Sequence, residues 1–538
     1  MMFTNVYPRE KYISKIRPFY HSDVIKVITG IRRCGKSFIL RSIINELLNS
    51  GIDLDKIIYL PLDKRGYKNI KTPTELEELI ESEIKNEGFH YLIIDEVQNV
   101  PGFEPVVHAY QEEGYSIFLT GSNSYLLSEE ITTKLTGRYI SFEVFPLDFD
   151  EYLEMKKFHN ININQDMYAE FDEYIINGGF PKSLEFDSIA ARKSYTENII
   201  SEIFKKDVQT RNQISNILVY ERVQSFLINN YGAPFSIYKL MQYFEKENIK
   251  TTKPTVRKYI EDLKKAKILY ECNRFDLKSK QAIGRDQKYY LADLSIYFSA
   301  NTDNRPNYGL SLENIIYTYL KSCDYKVSIG RIGNLECDFI VRNMFNEYAY
   351  IQVAYTLNDG DKEHTDKLKE REYRPFRKIK DSYPRYIITL DRFQDQQEGV
   401  RHINAIDLLL GKEKILPSST EDSYNPRNYL TLDESIKLRD SKPLYSIAEI
   451  KETLTPVFKK HKVKKAILFG SYVTGTADSR SDIDILVETN LKGLAFYGLY
   501  GDVEKLMRFP LDLIDKSVVE KGSELEKAIE KTGVTIYG

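Results

Sequence analysis

Three groups of residues in this 538-residue chain have the types and spacing for phosphate chemistry. The first is Gly30-Ile31-Arg32-Arg33-Cys34-Gly35-Lys36-Ser37, a glycine-framed loop that ends in a lysine and a hydroxyl. Such a loop presents backbone amides to phosphate oxygens, with Gly30 and Gly35 allowing the close approach. Lys36 then reaches the β- and γ-phosphates, and Ser37 ligates Mg2+. The second group is Asp95-Glu96, with Asp95 placed to hold the metal's water shell and Glu96 to activate an attacking water. The third lies near the other end, where Gly470-Ser471 is followed by Ser481-Asp482-Ile483-Asp484 and later by Asp512. Gly470 lets the backbone approach a triphosphate, and Ser471 can bond a phosphate oxygen. Residues two apart on a strand point the same way, so Asp482 and Asp484 can share metal ions, with Asp512 as third carboxylate. The cofactors expected are therefore ATP and Mg2+.

These side chains need strands and helices to hold them. Val24–Thr29 is a short β-branched run that reads as a buried parallel strand entering the glycine loop, and Phe38–Asn49 has helical spacing. Tyr91–Glu96 reads as an apolar strand ending in its two acids. Ser116–Thr120 reads as a third strand, followed by Gly121-Ser122-Asn123. Ser122 and Asn123 there either sense a γ-phosphate or form a plain turn. Arg138 precedes the strand Tyr139–Val144 and supplies either a transition-state cation or a structural salt bridge. A role in a neighbouring subunit's site would make the protein a homo-oligomer. In the C-terminal part, Ser446-Ile447-Ala448-Glu449 has the capping-box form of a helix start. Lys465–Phe469 delivers Gly470 from a strand, Asp482–Val487 alternates as a strand does, and Leu511–Ile514 places Asp512 between apolar neighbours.

Between the two ends, residues 145–210 look mostly helical and contain the turn Gly178-Gly179-Phe180-Pro181. Residues 214–295 read as a winged helix. Helical segments fall near 214–230 and 236–247, and a third helix begins at Thr252-Lys253-Pro254-Thr255, with Thr255 in its cap region. Arg257, Lys258, Lys264 and Lys265 on that helix, with Lys278, Lys280, Arg285 and Lys288 on the wing, form a basic surface. It suits either a DNA backbone or an intramolecular face. Residues 311–410 hold Glu313 at the opening of a helix (Leu312–Ser322), Asp338 on the strand 336–341, and Gln352-Val353-Ala354 on a third element. Pro417–Pro426 is polar and turn-rich and reads as a linker.

Composition sets the outer limits. The formal net charge of −3 excludes a chain that binds polyanions over its whole surface. Cys34, Cys272, Cys323 and Cys337 show neither metal-ligand spacing nor a disulfide framework, as expected in a reducing compartment. The N-terminal segment carries Arg9, Glu10 and Lys11 instead of a signal core, and no apolar run approaches a membrane span. The expected location is cytoplasmic, with no membrane partner.

Lys26–Ser37, Thr120-Gly121-Ser122, Thr136-Gly137-Arg138, and Phe145-Pro146-Leu147 with Glu151-Tyr152 resemble prokaryotic AAA+ superfamily ATPases of the archaeal ATPase-like branch. That resemblance covers roughly the first 410 residues and implies a helical lid beside the nucleotide. Residues 311–410 resemble the PD-(D/E)XK nuclease fold. That resemblance implies metal binding by Glu313, Asp338 and the first residue of the third motif, with a lysine two residues on. Gln352 and Ala354 depart from it, which implies a degenerate, non-cleaving fold unless a lysine such as Lys362 comes from elsewhere. Residues 441–538 resemble polymerase-β-like minimal nucleotidyltransferases, with Thr474 where that family commonly has arginine. Such proteins are often antitoxins paired with a small helical HEPN toxin, and some nucleotidylate it.

The expected fold class is multidomain α/β. Its parts are a P-loop AAA+ core (1–145), a helical lid (146–213), a winged helix (214–300), a PD-(D/E)XK-like α/β domain (301–411), a linker (412–440) and a nucleotidyltransferase α+β domain (441–538). Three functions fit: an ATPase regulating a toxin–antitoxin or phage-defence nucleotidyltransferase, a DNA-binding ATPase with nuclease-like activity, and an ATP-gated scaffold. The expected partners are a nucleoside triphosphate, DNA at the winged helix, and a HEPN-type toxin or an RNA as acceptor.

Overall fold

Aliphatic and β-branched runs in the first part of the chain pair as five strands: β1 (Ile25–Gly30), β2 (Ile57–Pro61), β3 (Tyr91–Asp95), β4 (Ser116–Thr120) and β5 (Tyr139–Val144). In the computed structural model the described residues are 3, 6–86, 88–121, 137–203, 214, 216–277, 281–301, 307–358, 360–394, 396–416, 446–474, 483–491, 496, 499, 502–503, 506, 511–516, 529 and 531–538. The strand order is β2-β3-β4-β1-β5, with every pair parallel. β1, β3 and β4 are buried along their whole length, as a sheet covered on both faces requires. Alternation along each strand divides the core in two. Ile28, Ile93 and Phe118 pack with Ile39 and Ile43 of the helix Lys36–Asn49. Val27, Leu92 and Leu119 pack with Leu76, Ile80 and Val107 of the helices Pro73–Glu83 and Glu104–Glu112. Because β4 lies between β1 and β3, the ends of these three strands meet at the carboxyl edge of the sheet, where open α/β sheets place their sites.

The helices Phe149–Phe158, Met167–Asn177 and Ile189–Ile203 follow. The turn between the second and third has no room for side chains. A Cβ on Gly178 would lie 1.9 Å from Asp293 Oδ1, and one on Gly179 would lie 2.0 Å from the Leu147 carbonyl oxygen. Asp293, buried and absent from the sequence expectations, accepts the Gly179 N–H at 2.6 Å and so ties this turn to the segment before the helix Ser295–Ala300.

Three helices, Ile217–Asn229, Ile237–Lys246 and Lys253–Lys265, lead into an antiparallel hairpin of β6 (Leu269–Asp276) and β7 (Gln281–Leu291). The cap of the third helix is Thr252, whose hydroxyl accepts the Thr255 N–H at 3.4 Å; the expected cap at Thr255 sits inside the first turn. The hairpin is not a free-standing wing. β6 runs parallel to β8 (Lys326–Ile332), and the sheet continues through β9 (Leu335–Arg342), β10 (Tyr348–Val353), β11 (Arg385–Thr389) and β12 (Val400–Asn404). Its order is β12-β11-β10-β9-β8-β6-β7. The helix carrying Glu313 spans Tyr308–Ser322 and is capped by Asn307, so Glu313 lies inside it and does not open it.

The chain divides into two compact units, 1–424 and 425–538. The second holds β13 (Lys465–Phe469), β14 (Ile483–Glu488), β15 (Leu511–Asp515) and β16 (Val534–Tyr537), in the order β15-β14-β13-β16. The helix Ile447–Lys460 begins with the expected capping box, Ser446 and Glu449. The linker expected at 417–426 lies outside the described residues. Among the described residues, no helix is long and apolar enough to cross a membrane.

Candidate functional site

Gly30 ends β1 with φ +140°, and a Cβ there would lie 2.1 Å from the Val144 carbonyl oxygen, so only glycine fits beside β5. Gly35 has φ +106° and caps the helix Lys36–Asn49; its requirement is conformational, since a Cβ would meet nothing nearer than 3.8 Å. The Lys36 ammonium donates to the carbonyls of Gly30 (2.8 Å) and Ile31 (3.2 Å), spanning its own loop.

Asp95, at the end of β3, is the hub of this edge. The Ser37 hydroxyl donates to its Oδ1 at 3.0 Å, the Thr120 hydroxyl donates to the same oxygen, and the Tyr59 hydroxyl reaches Oδ2 at 3.4 Å. Burial pushes the Asp95 carboxyl above the usual carboxylate range, with the two hydroxyl hydrogen bonds opposing it. Glu96 is held in the left-handed region at φ +59°, donates its N–H to Thr120 Oγ1 at 3.0 Å, and accepts from the Gln98 amide. Uncommon backbone at a strand end beside a glycine loop is where strain and function coincide. Among the described residues, no three His, Cys, Asp or Glu form a metal cage. Mg2+ needs none here, since it commonly keeps its waters and takes one or two protein oxygens plus phosphate. A buried carboxylate facing a serine hydroxyl fits that donor set.

The structure brings Gly30, Gly35, Lys36, Ser37, Asp95 and Glu96 together. Ser122 and Asn123 lie outside the described residues. Arg138 is exposed and precedes β5, whose Tyr139 pairs with Ile25 while Val144 pairs with Gly30. It therefore sits at the opposite edge of the sheet, about 17–20 Å along the strand from its own glycine loop. Tyr59 and Gln98 are absent from the sequence expectations, and Thr120 enters them as a strand end and not as a partner of Asp95. Thr120 alone carried a signal, as a polar residue ending an apolar strand.

In the second unit, Gly470 leaves β13 with φ +76°, and a Cβ there would lie 2.2 Å from Asp484 Oδ2. Phe469 pairs with Asp484, and Asp484 with Asp512, so both acids occupy one level of adjacent parallel strands. A glycine hollow against one carboxylate, with a second acid-bearing residue in register, fits a divalent cation and a phosphate. Ser471 begins the short helix Ser471–Thr474. Asp482 lies outside the described residues.

The nuclease-like acids are arranged otherwise. Lys288, expected on the exposed wing, is buried, and its ammonium donates to Glu313 Oε1 at 2.8 Å and pairs with Glu336 Oε1 at 2.9 Å. Tyr290 also donates to Glu313 Oε1, at 2.6 Å. Gln352 is engaged at both ends of its amide, accepting the Asp338 N–H at 2.8 Å and donating to Glu372 Oε2 at 2.7 Å. Asp338 accepts the Val353 N–H at 2.8 Å, and its burial beside Glu313 raises its carboxyl well above the usual range. Lys362 is exposed, so the lysine that meets these acids is Lys288. On the third helix of the basic surface, Arg257, Lys258 and Lys265 are exposed, whereas Lys264 is half-buried and paired with Glu261 (2.7 Å) and Glu271. Lys278 and Lys280 lie outside the described residues, and Arg285 falls on β7.

The sheet with a strand inserted between the loop strand and the acidic strand, together with the Gly470–Asp484–Asp512 sheet, defines a P-loop ATPase-type core and a nucleotidyltransferase-type domain. Residues 22–153 match the AAA domain family, 168–306 a family described as a domain of unknown function, and 452–538 the polymerase beta nucleotidyltransferase family. An uncharacterized protein of Haemophilus influenzae is 31% identical over 407 residues, 75% of this chain and 98% of that protein. A Methanocaldococcus jannaschii protein described as a "putative protein adenylyltransferase" is 35% identical over 94 residues, 16% of this chain and 93% of its own length. The chain belongs to one family with the Haemophilus influenzae protein, and it carries an AAA domain in its N-terminal part and a polymerase-β nucleotidyltransferase domain at its C-terminal end. Among solved structures, a toxin–antitoxin with AMP-PNP aligns at 25% identity over 16% of this chain and 73% of that chain, with a TM-score of 0.15. RuvB of Thermotoga maritima aligns at 16% identity over 52% and 91%, with a TM-score of 0.27. At such scores the fold rests on the strand orders above.

Proposed function

We propose that the chain hydrolyses ATP at the glycine loop and uses that cycle to regulate transfer of a nucleoside monophosphate at the Gly470–Asp484 site. The observation that carries the first half is the chain of bonds from Ser37 and Thr120 to Asp95, with Glu96 tied to Thr120 beside it. In this reading Gly30, Gly35 and Lys36 hold the phosphates, Ser37 and Asp95 hold Mg2+, and Glu96 accepts a proton from the attacking water. Ser122 and Asn123 sense the γ-phosphate. Arg138, at the far edge of its own sheet, acts on a neighbouring copy's nucleotide and so calls for an oligomer. In the second site Gly470 and Ser471 hold the triphosphate, and Asp482, Asp484 and Asp512 hold Mg2+, which stabilises charge on the attacked phosphate. The similarity to proteins described as adenylyltransferases of proteins favours ATP as donor and a protein as acceptor, such as a HEPN-type toxin.

The three helices and hairpin of 217–291 have the element order of a winged helix, and exposed Arg257, Lys258 and Lys265 suit a phosphate backbone. DNA contact there would supply a trigger. Gln352 argues against cleavage at the nuclease-like acids, because an amide bonded to Asp338 and Glu372 stands where the nuclease pattern needs a carboxylate. One experiment tests both halves. The full chain is given α- or γ-labelled ATP with Mg2+ and a cell lysate. Lys36→Ala is expected to lower phosphate release at least a hundredfold, and Asp484→Ala to abolish label transfer from α-labelled ATP to protein. Undiminished release in Lys36→Ala, or undiminished transfer in Asp484→Ala, overturns the corresponding half.

A further inference from the structure

The glycine loop is gripped from behind by a residue far from it in sequence. Arg9 is 2% exposed and precedes the helix Glu10–Ile16. Its Nε and Nη2 donate to the two carboxylate oxygens of Glu151, at 2.8 and 2.5 Å, a bidentate pair. Glu151 is itself fixed in a capping box, accepting the Asp148 N–H at 3.3 Å at the start of the helix Phe149–Phe158. With the guanidinium plane locked this way, Nη1 donates to the carbonyls of Phe145 and Cys34, both at 2.8 Å. Nη2 also reaches the Pro146 carbonyl at 3.4 Å, and the Tyr12 ring lies 4.6 Å from the guanidinium carbon.

The Cys34 carbonyl belongs to the peptide that joins Cys34 to Gly35. In a trans peptide C=O and N–H point in opposite directions. Drawing the Cys34 oxygen toward Arg9 therefore turns the Gly35 N–H away from Arg9, toward the open side of the loop. Arg33, just before this peptide, holds φ +69°, uncommon for a residue with a side chain, and the Arg9 bond to the Cys34 carbonyl is one of the contacts that fix the loop beside it.

We propose that Arg9 is a positioning residue of the nucleotide site, fixing the Cys34–Gly35 peptide so that the Gly35 N–H faces the phosphates. This rests on the ATPase reading. The same Nη1 joins the loop to Phe145, so the glycine loop and the start of the helical region are held by one group.

The test uses the full chain. Arg9→Lys keeps the charge but cannot grip Glu151 and both carbonyls at once. Arg9→Met with Glu151→Leu removes both partners and leaves no stranded carboxylate. In either variant KM for ATP and Kd for ADP are expected to rise about tenfold, with kcat changed less than threefold. A merely structural role would lower the active fraction, and so kcat, at unchanged KM. Folded variants with wild-type KM and Kd, beside a Lys36→Ala control that loses ADP, overturn the proposal and leave the ATPase reading standing. A wild-type chain that binds no ADP would instead sink the ATPase reading. Should both Arg9 variants fail to fold, Glu151→Gln loosens the anchor and keeps the guanidinium. It is expected to weaken ADP two- to fivefold and speed amide exchange across 31–37, and no change in either overturns the proposal.

Discussion

Lys26 is a charged residue in the middle of the strand that carries the glycine loop. In the sequence it passes as one position of a β-branched run; in the fold it is fully buried between β4 and β5. Its ammonium donates to the Ser22 carbonyl (2.9 Å) and the Ser116 hydroxyl (2.8 Å), and lies 4.5 Å from the centre of the Phe118 ring. Among the described residues no carboxylate pairs with it closely, and burial brings its pKa down to about 7, with Asp23 opposing. The unfolded chain holds this proton to near pH 10.4 and the folded chain releases it near 7, so stability rises with pH across that window. Below about pH 7 both states hold the proton and the dependence vanishes. Relative to Lys26→Met, the wild type is expected to gain up to about 1.4 kcal/mol per pH unit between pH 7 and 10. Thermal melts of both proteins at pH 6, 8 and 9.5 check it: a Tm difference that stays constant would show that Lys26 does not titrate there. The residues legible in the sequence, Gly30, Lys36, Ser37, Asp95 and Glu96, belong to short contiguous patterns. Arg9, Tyr59 and Thr120 were not legible as a set because only the fold brings them to that edge.

At the scale of elements, strands and helices were read to within a few residues wherever a hydrophobic period ran between clear stops, as at Lys465–Phe469 and the Ser446 cap. Pairing was the harder part. Nothing local in Gln281–Leu291 says that it joins a seven-stranded sheet, and so Lys288 was read as an exposed cation when register carries it under Glu313. The nearby acids hold its pKa above the ordinary lysine value against the pull of burial, Glu313 foremost, so the ammonium stays charged. It thereby links the hairpin to the helix Tyr308–Ser322 and, through Glu336, to β9. Lys288→Met strands Glu313 without its cation, and removing one partner of a buried pair costs about 3–5 kcal/mol. The melting temperature of the larger unit is expected to fall by several degrees, and Glu313→Leu added to Lys288→Met to recover at least half of the loss. A double variant no better than the single would mean that the ammonium acts through packing alone.

For the whole molecule, the two units have separate hydrophobic cores: one cluster gathers Ile450, Leu468, Ile485 and Ile536, and the others draw only on residues up to Leu416. Separate cores permit separate unfolding. The sequence leads one to expect a division at the turn-rich stretch between the two signatures, a stretch that lies outside the described residues. Calorimetry of the full chain is expected to show two transitions. The larger unit has roughly four times the residues of the smaller, and unfolding enthalpy scales with length, so the two are distinguishable by area. A ligand raises only the unit that binds it, by about 2.7 kcal/mol at a hundredfold excess over Kd. ADP with Mg2+ should therefore move the large transition, and Lys36→Ala should abolish that movement without touching the small one. Asp484→Ala should do the reverse for any rise of the small transition with a non-hydrolysable ATP analogue. If the ATPase regulates the transferase without an outside partner, a third result appears: nucleotide at the first site shifts the small transition too, and Lys36→Ala removes that shift. Two transitions that never respond to each other's ligand would restrict regulation to an outside partner, such as DNA at the basic helix or a protein acceptor bridging the units.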